Sequence, residues 1–166
     1  FLSCQKAEPF ARAFQISTLT EGIGGPKAMA RPGDYLIEND RIRIAINGAR
    51  PSMGPHTAGG GIIDADLQRF DMRYTSAHGN DQLAEVFATV NMNIAQIDEE
   101  SGEIVILNDG ADGNSAVICT VGEATSFISI LDGIWAILGG KNYSIRTDYI
   151  LAPQSSVLEI QTTALF

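Results

Sequence analysis

Two cysteines, two histidines and one tryptophan in 166 residues leave few ways to build a reactive centre. Cys4 and Cys119 can form one bridge at most, too few for a disulfide-stapled scaffold. With no Cys-x-x-Cys pair, thiolate zinc sites and thioredoxin-type redox chemistry are excluded. No apolar run reaches the roughly 18 residues that span a bilayer; the closest, Phe127 to Leu138, is broken by Ser129, Asp132 and Gly133. Charge is sparse at 19%, and 11 basic against 20 acidic residues give a net charge of −9. A polyphosphate backbone or an anionic membrane surface is repelled by that balance, so nucleic acid is not expected as a partner. Also missing is a Gly-x-Ser-x-Gly nucleophile elbow, and Gly59-Gly60-Gly61 has no following Lys-Ser/Thr to make a phosphate loop.

What remains is β-rich. Hydrophobic residues make up 45% of the chain, enough for one domain with a sizeable core. Residues 1–32 read as an extended lead-in with a weak apolar pattern around Phe10, Phe14 and Ile16, and residues 33–166 as the domain proper. Within it, Tyr35 to Glu38 and Arg41 to Asn47 form a hairpin about Asn39-Asp40. Gly48 to Gly61 is a loop, Gly61 to Leu67 a short strand and Leu83 to Asn93 a longer one. Ile94 to Ile97 and Glu103 to Leu107 flank Asp98 to Gly102 as a hairpin tip, and Ala116 to Gly122 follows. Tyr143, Ile145, Thr147, Tyr149 and Leu151 share one face of an extended run, and Leu158, Ile160, Thr162 and Ala164 resume the period of two after a break.

Turn signals every eight to twelve residues predict an all-β, mainly antiparallel sandwich. It is expected to be incomplete, its last strand covered by strands beyond residue 166 in a longer parent chain. A single helix is predicted over residues 126–138, where Phe127, Ile130, Leu131, Ile134 and Leu138 form a stripe to dock on the sheet before Gly139-Gly140. The expected core includes Ile42, Ile44, Ile46, Val86, Ile104, Ile106, Ile145, Tyr149, Leu158 and Ile160.

The amino terminus, Phe1-Leu2-Ser3-Cys4, matches in part the end of a bacterial lipoprotein signal, where the Cys is lipidated after cleavage. If lipidated, Cys4 implies export to the cell envelope, with a lipid anchor as the one expected membrane attachment; the alternative reading is an ordinary Cys, free or bridged to Cys119.

The blocks GPKAMARPGDYLIENDRIRIAI, GGGIIDADL, GNDQLAEVF and YSIRTDYILAPQSSVLEIQTTALF resemble the amino-terminal β-rich region of large secreted bacterial lipoproteins. Some of those carry a later metal-dependent hydrolase domain of the polymerase-and-histidinol-phosphatase type. The strand, Leu-Ala-Pro break, strand pattern is also similar to pairs in the supersandwich of galactose mutarotase and several polysaccharide lyases. The resemblance implies fold and compartment and carries over no catalytic residue, since neither His56 nor His78 sits in a motif of those groups.

The candidate ligand-binding residues are His56 in the Gly-rich loop, where the competing reading is a merely solvated side chain, and His78, Asn80 and Asp81 in His-Gly-Asn-Asp. Asp64 and Asp66 fall on one face of a strand and, with Asp71 or His78, offer ligands to a divalent ion. The competing reading is that Asp and Asn beside Gly shape turns. Asn108 to Asn114 has a calcium-loop look without the closing Glu, and reads first as hairpin chemistry. Trp135 with Phe127 is either a sugar platform or core. No metal, cofactor or catalytic residue is assigned. Two functions follow: a non-catalytic accessory or binding module of an exported surface protein, with carbohydrate as the expected ligand, or part of a carbohydrate-active supersandwich enzyme.

Overall fold

The computed structural model describes residues 8–71, 73, 77–128, 130–138 and 142–166. Cys4 and the Gly139-Gly140 helix stop lie outside them. The chain folds as two antiparallel sheets. Ala11–Gln15 (β1), Tyr35–Asn39 (β2), Ile42–Ile46 (β3) and Ile62–Leu67 (β4) make a four-stranded sheet in chain order. Asn93–Gln96 (β5), Glu103–Asn108 (β6), Ala116–Ser126 (β7), Ser144–Leu151 (β8) and Glu159–Leu165 (β9) make the second. The all-β sandwich-like expectation therefore holds.

Alternation puts Ala11, Ala13, Ile37, Ile44 and Ile46 of the first sheet against Ala116, Ile118, Tyr149 and Leu151 of the second. The opposite face of the first sheet is also covered. Leu36, Ala45 and Ile63 pack beneath Ile16, Ile23, Met29 and Ala30, so the described part of the lead-in holds a strand and roofs half of the outer face.

Three sheet edges are closed by neighbouring loops. At β1, Ala13 N–H donates to Asp109 O, and Gly110, at φ +84°, sits so near Ala11 O that a Cβ would lie 2.0 Å from it. This is what Asn108 to Asn114 does: Asn108 and Asp112 cap turn groups, and the loop seals β1. At β4, Ile62 exchanges two backbone hydrogen bonds with Val86, and the Asp81 carboxylate accepts from Ala65 N–H. Along β5 and β6, Gly59 N–H donates to Ile97 O just past β5, and the Tyr35 hydroxyl of β2 donates to Ile104 O of β6. The outer edge of β9 carries no backbone pairing among the described residues. Exposed edges recruit one another, so the chain is expected to self-associate with rising concentration, and Ile160→Lys on β9 to suppress it. Sedimentation velocity checks this; a monomeric wild type at high concentration would contradict it.

Several expectations need correction. Val86 and Ile160 are 43% and 42% exposed, because residues 83–92 are irregular rather than a long strand and β9 is an uncovered edge. Ile44, Ile46, Ile145 and Tyr149 are buried as expected, with Ile42, Ile104, Ile106 and Leu158 packed at the core margin. Asp98 to Gly102 is not a hairpin tip. β5 and β6 run one after the other along the same side of β7, and the acidic loop is an excursion from one interrupted strand. Gly122 permits this, since a Cβ there would meet Gln96 O at 2.2 Å. Finally, β7 continues to Ser126, the helix (α1) spans Ile130–Leu138, and two members of the expected stripe, Ile130 and Ile134, are exposed rather than docked. No helix among the described residues is long and apolar enough to cross a membrane.

Candidate functional site

The residues singled out by composition do not assemble into one site. His56 is 4% exposed, not a solvated loop residue: its ring stacks on Phe87 at 4.4 Å, its backbone N–H donates to the Glu85 carboxylate, and its buried Nδ1 has no partner. Burial pushes its pKa down against the pull of Glu85. Phe127 joins the same stack through Phe87, 5.0 Å away. The Gly59-Gly60-Gly61 run lets this loop close. A Cβ at Gly61 would lie 2.9 Å from the His56 ring, and Gly60, at φ +84°, presents its carbonyl to the buried Tyr149 hydroxyl at 2.6 Å.

Asp81 is fully buried, holding Ala65 and Leu83 N–H through one oxygen, while its other oxygen is buried without a partner. Asn80 and His78 are exposed, with Asn80 N–H donating to Asp66. Asp64 accepts from Met29 and Ala30 N–H at 2.6 and 3.0 Å, pinning the roof segment. Asp66 pairs with Arg69 and the exposed Asp71 with Arg73. Among the described residues, no group of three His, Cys, Asp or Glu side chains is placed to hold a metal ion. Cys119 is a buried free thiol, pushed up to about 11 by burial and by Asp148.

Burial, with help from Asp81 and Asp34, raises the Asp64 pKa from 3.8 to about 6, the two backbone N–H groups offsetting only part of it. The folded chain then holds a proton there that the unfolded chain releases near pH 4. The stability Asp64 contributes is complete below about pH 4 and is lost as pH rises through about 6. Melting temperature against pH should show this fall, and Asp64→Asn should flatten it. An unchanged slope in the variant would exclude Asp64 as the source.

A groove lies elsewhere, on the part of the outer face that the roof leaves uncovered. Register aligns Arg12 (β1) with Glu38 (β2), Glu38 with Arg43 (β3), and Arg43 with Asp66 (β4). These alternating charges form a row across all four strands, and Asp66 hands it on to Arg69. Glu38 is 1% exposed yet satisfied, accepting from Arg12 Nε at 2.6 Å and Arg43 Nε at 2.5 Å. Arg43 also donates to the Glu21 and Gly22 carbonyls, tying the 3₁₀ turn Leu19–Glu21 to the sheet. Phe10 and Phe14 flank Arg12, its guanidinium 5.7 and 5.3 Å from their ring centres.

With Thr20, Gln68 and the 60% exposed Phe70, these side chains line a groove of about 510 Å³, within the size range of ligand sites. Sequence reasoning passed over it. Its one local signal is Phe10-Ala-Arg12-Ala-Phe14, which on a strand puts Phe, Arg and Phe on one face and the small alanines on the packed face. No protein-family model, curated protein or solved structure matches the chain, so the groove has to be read from its own chemistry.

Proposed function

We propose that this domain is a non-catalytic binding module of an exported bacterial surface protein, and that the groove on the first sheet holds a carbohydrate. The observation that carries the reading is the groove itself: aromatic rings at Phe10, Phe14 and Phe70 around guanidinium, amide and hydroxyl groups. Sugars offer that combination in reverse, with C–H faces for the rings and hydroxyls for the polar groups.

The groove's acids favour binding over catalysis. A general acid must hold a proton near the working pH. Glu21 is kept below its usual range by Ser17 and Thr18 N–H. Asp66, beside the groove, is also held low: hydrogen bonds from Arg69, Asn80 and Leu67 overcome its partial burial. The export part of the proposal rests on Phe1-Leu2-Ser3-Cys4 and on the resemblance to secreted lipoprotein regions.

A glycan microarray followed by isothermal titration tests it. One glycan class should bind, and Arg12→Ala or Phe70→Ala should weaken it roughly tenfold, the scale of one lost charge-assisted hydrogen bond or stacked ring, with circular dichroism unchanged. Binding to no glycan, or binding indifferent to both substitutions, would refute the assignment.

A further inference from the structure

We infer that the groove selects neutral glycans over uronate or sulfated ones, a step that rests on the carbohydrate reading above. Three arginines in a chain of net charge −9 suggest an anion site at first sight. The hydrogen bonds say otherwise. Arg43 spends Nε on Glu38 and its two terminal nitrogens on the Gly22 and Glu21 carbonyls. Arg69 is paired with Asp66, and Arg12 directs Nε and one terminal nitrogen at Glu38. Arg12 and Arg43 share the Glu38 carboxylate and Arg69 faces Asp66; with the Glu21 carboxylate at the rim, three cationic and three acidic side chains in and around the groove leave it without net charge.

An acidic ligand reaching the open N–H groups of Arg12 would compete with Glu38 for that one guanidinium. That carboxylate is 1% exposed and has no water to turn to, and stripping a partner from a buried charge is strongly unfavourable. The excess negative charge of the whole chain opposes the same ligand at longer range. A neutral sugar meets neither obstacle. It needs donors and acceptors without net charge, and these are present. The Arg12 side chain is 58% exposed, leaving guanidinium N–H groups open to the groove. Among the described residues the Gln68 side-chain amide makes no hydrogen bond, and the Thr20 hydroxyl meets only that of Thr18. Phe70 adds an exposed ring for a sugar face.

The test is affinity electrophoresis of the domain through gels of matched polysaccharides: neutral glucans, mannans, xylans and galactans against polygalacturonate, alginate and a sulfated galactan. Each gel is run at low salt and at about 0.5 M, where screening acts within a few ångströms. The expected result is retardation by at least one neutral polymer, changed less than about twofold by salt, reduced roughly tenfold in Arg12→Ala, and stronger than by any acidic polymer. Stronger retardation by an acidic polymer, lost at high salt and in Arg12→Ala, would overturn neutral selectivity while leaving the groove as the sugar site. Retardation by neither class, or retardation indifferent to both Arg12→Ala and Phe70→Ala, would overturn the carbohydrate reading and this inference with it. Near-UV circular dichroism of each variant confirms that the sandwich is intact.

Discussion

Tyr149→Ala is expected to lower the unfolding free energy by about 3–5 kcal/mol, the usual cost of deleting a buried aromatic ring. Tyr149 is among the largest fully enclosed side chains, placed on β8 where the second sheet meets Ile37, Ile44 and Ile46 of the first. Its hydroxyl also fixes the Gly60 carbonyl at 2.6 Å, joining the Gly-rich loop to the core. Tyr149→Phe separates the two contributions. It keeps the ring and leaves one buried carbonyl short of a donor, a loss of about 1–3 kcal/mol. Urea unfolding of both variants gives the comparison; a cost below about 1 kcal/mol for the alanine variant would mean that the sheets do not meet through this residue.

Arg43→Ala should be nearly as damaging, about 3 kcal/mol, for an electrostatic reason. Glu38 lies under Arg43 with almost no exposure, and the Arg43 guanidinium is itself largely covered. Removing it leaves a buried carboxylate with Arg12 alone and frees the Glu21 and Gly22 carbonyls, so the roof over Leu36, Ala45 and Ile63 should loosen as well. Arg12→Ala is the control. Arg12 is more than half exposed, so its pair with Glu38 is partly screened and its loss should cost less than half as much. Hydrogen exchange should report faster opening around Ile16 and Ile23 in Arg43→Ala and little change in Arg12→Ala. Equal effects would show that Glu38 is not held chiefly by Arg43.

Much of the sandwich was legible because alternation is local. The hairpin from Tyr35 to Ile46 and the buried face of β8 follow from a period of two that each strand carries within itself. What alternation cannot report is which strand lies alongside. Hence β5 and β6, two short runs around an acidic turn, look like a hairpin although both pair with β7. Hence also Ile160 alternates correctly and is still exposed, as no layer among the described residues covers the edge strand β9. The buried polar residues were misread for a related reason. Asp81 near Gly suggests a surface turn, but its carboxylate supplies the acceptor that the edge of β4 lacks. His56 looks solvated in a loop of glycines until Phe87 closes over it. The charged row was invisible, since Arg12, Glu38, Arg43 and Asp66 become neighbours only through three strand registers.

The groove as the recognition surface is tested most directly by mapping backbone amide NMR shifts while the best-binding neutral oligosaccharide from the array is titrated in. The account predicts that the changes concentrate on residues 10–14, 20–21, 38, 43 and 68–70, around the Phe10, Arg12 and Phe70 side chains that line the opening. Shifts centred on the loop of His78 and Asn80, or around His56 and Phe87, with the Arg12 row unmoved, would contradict it.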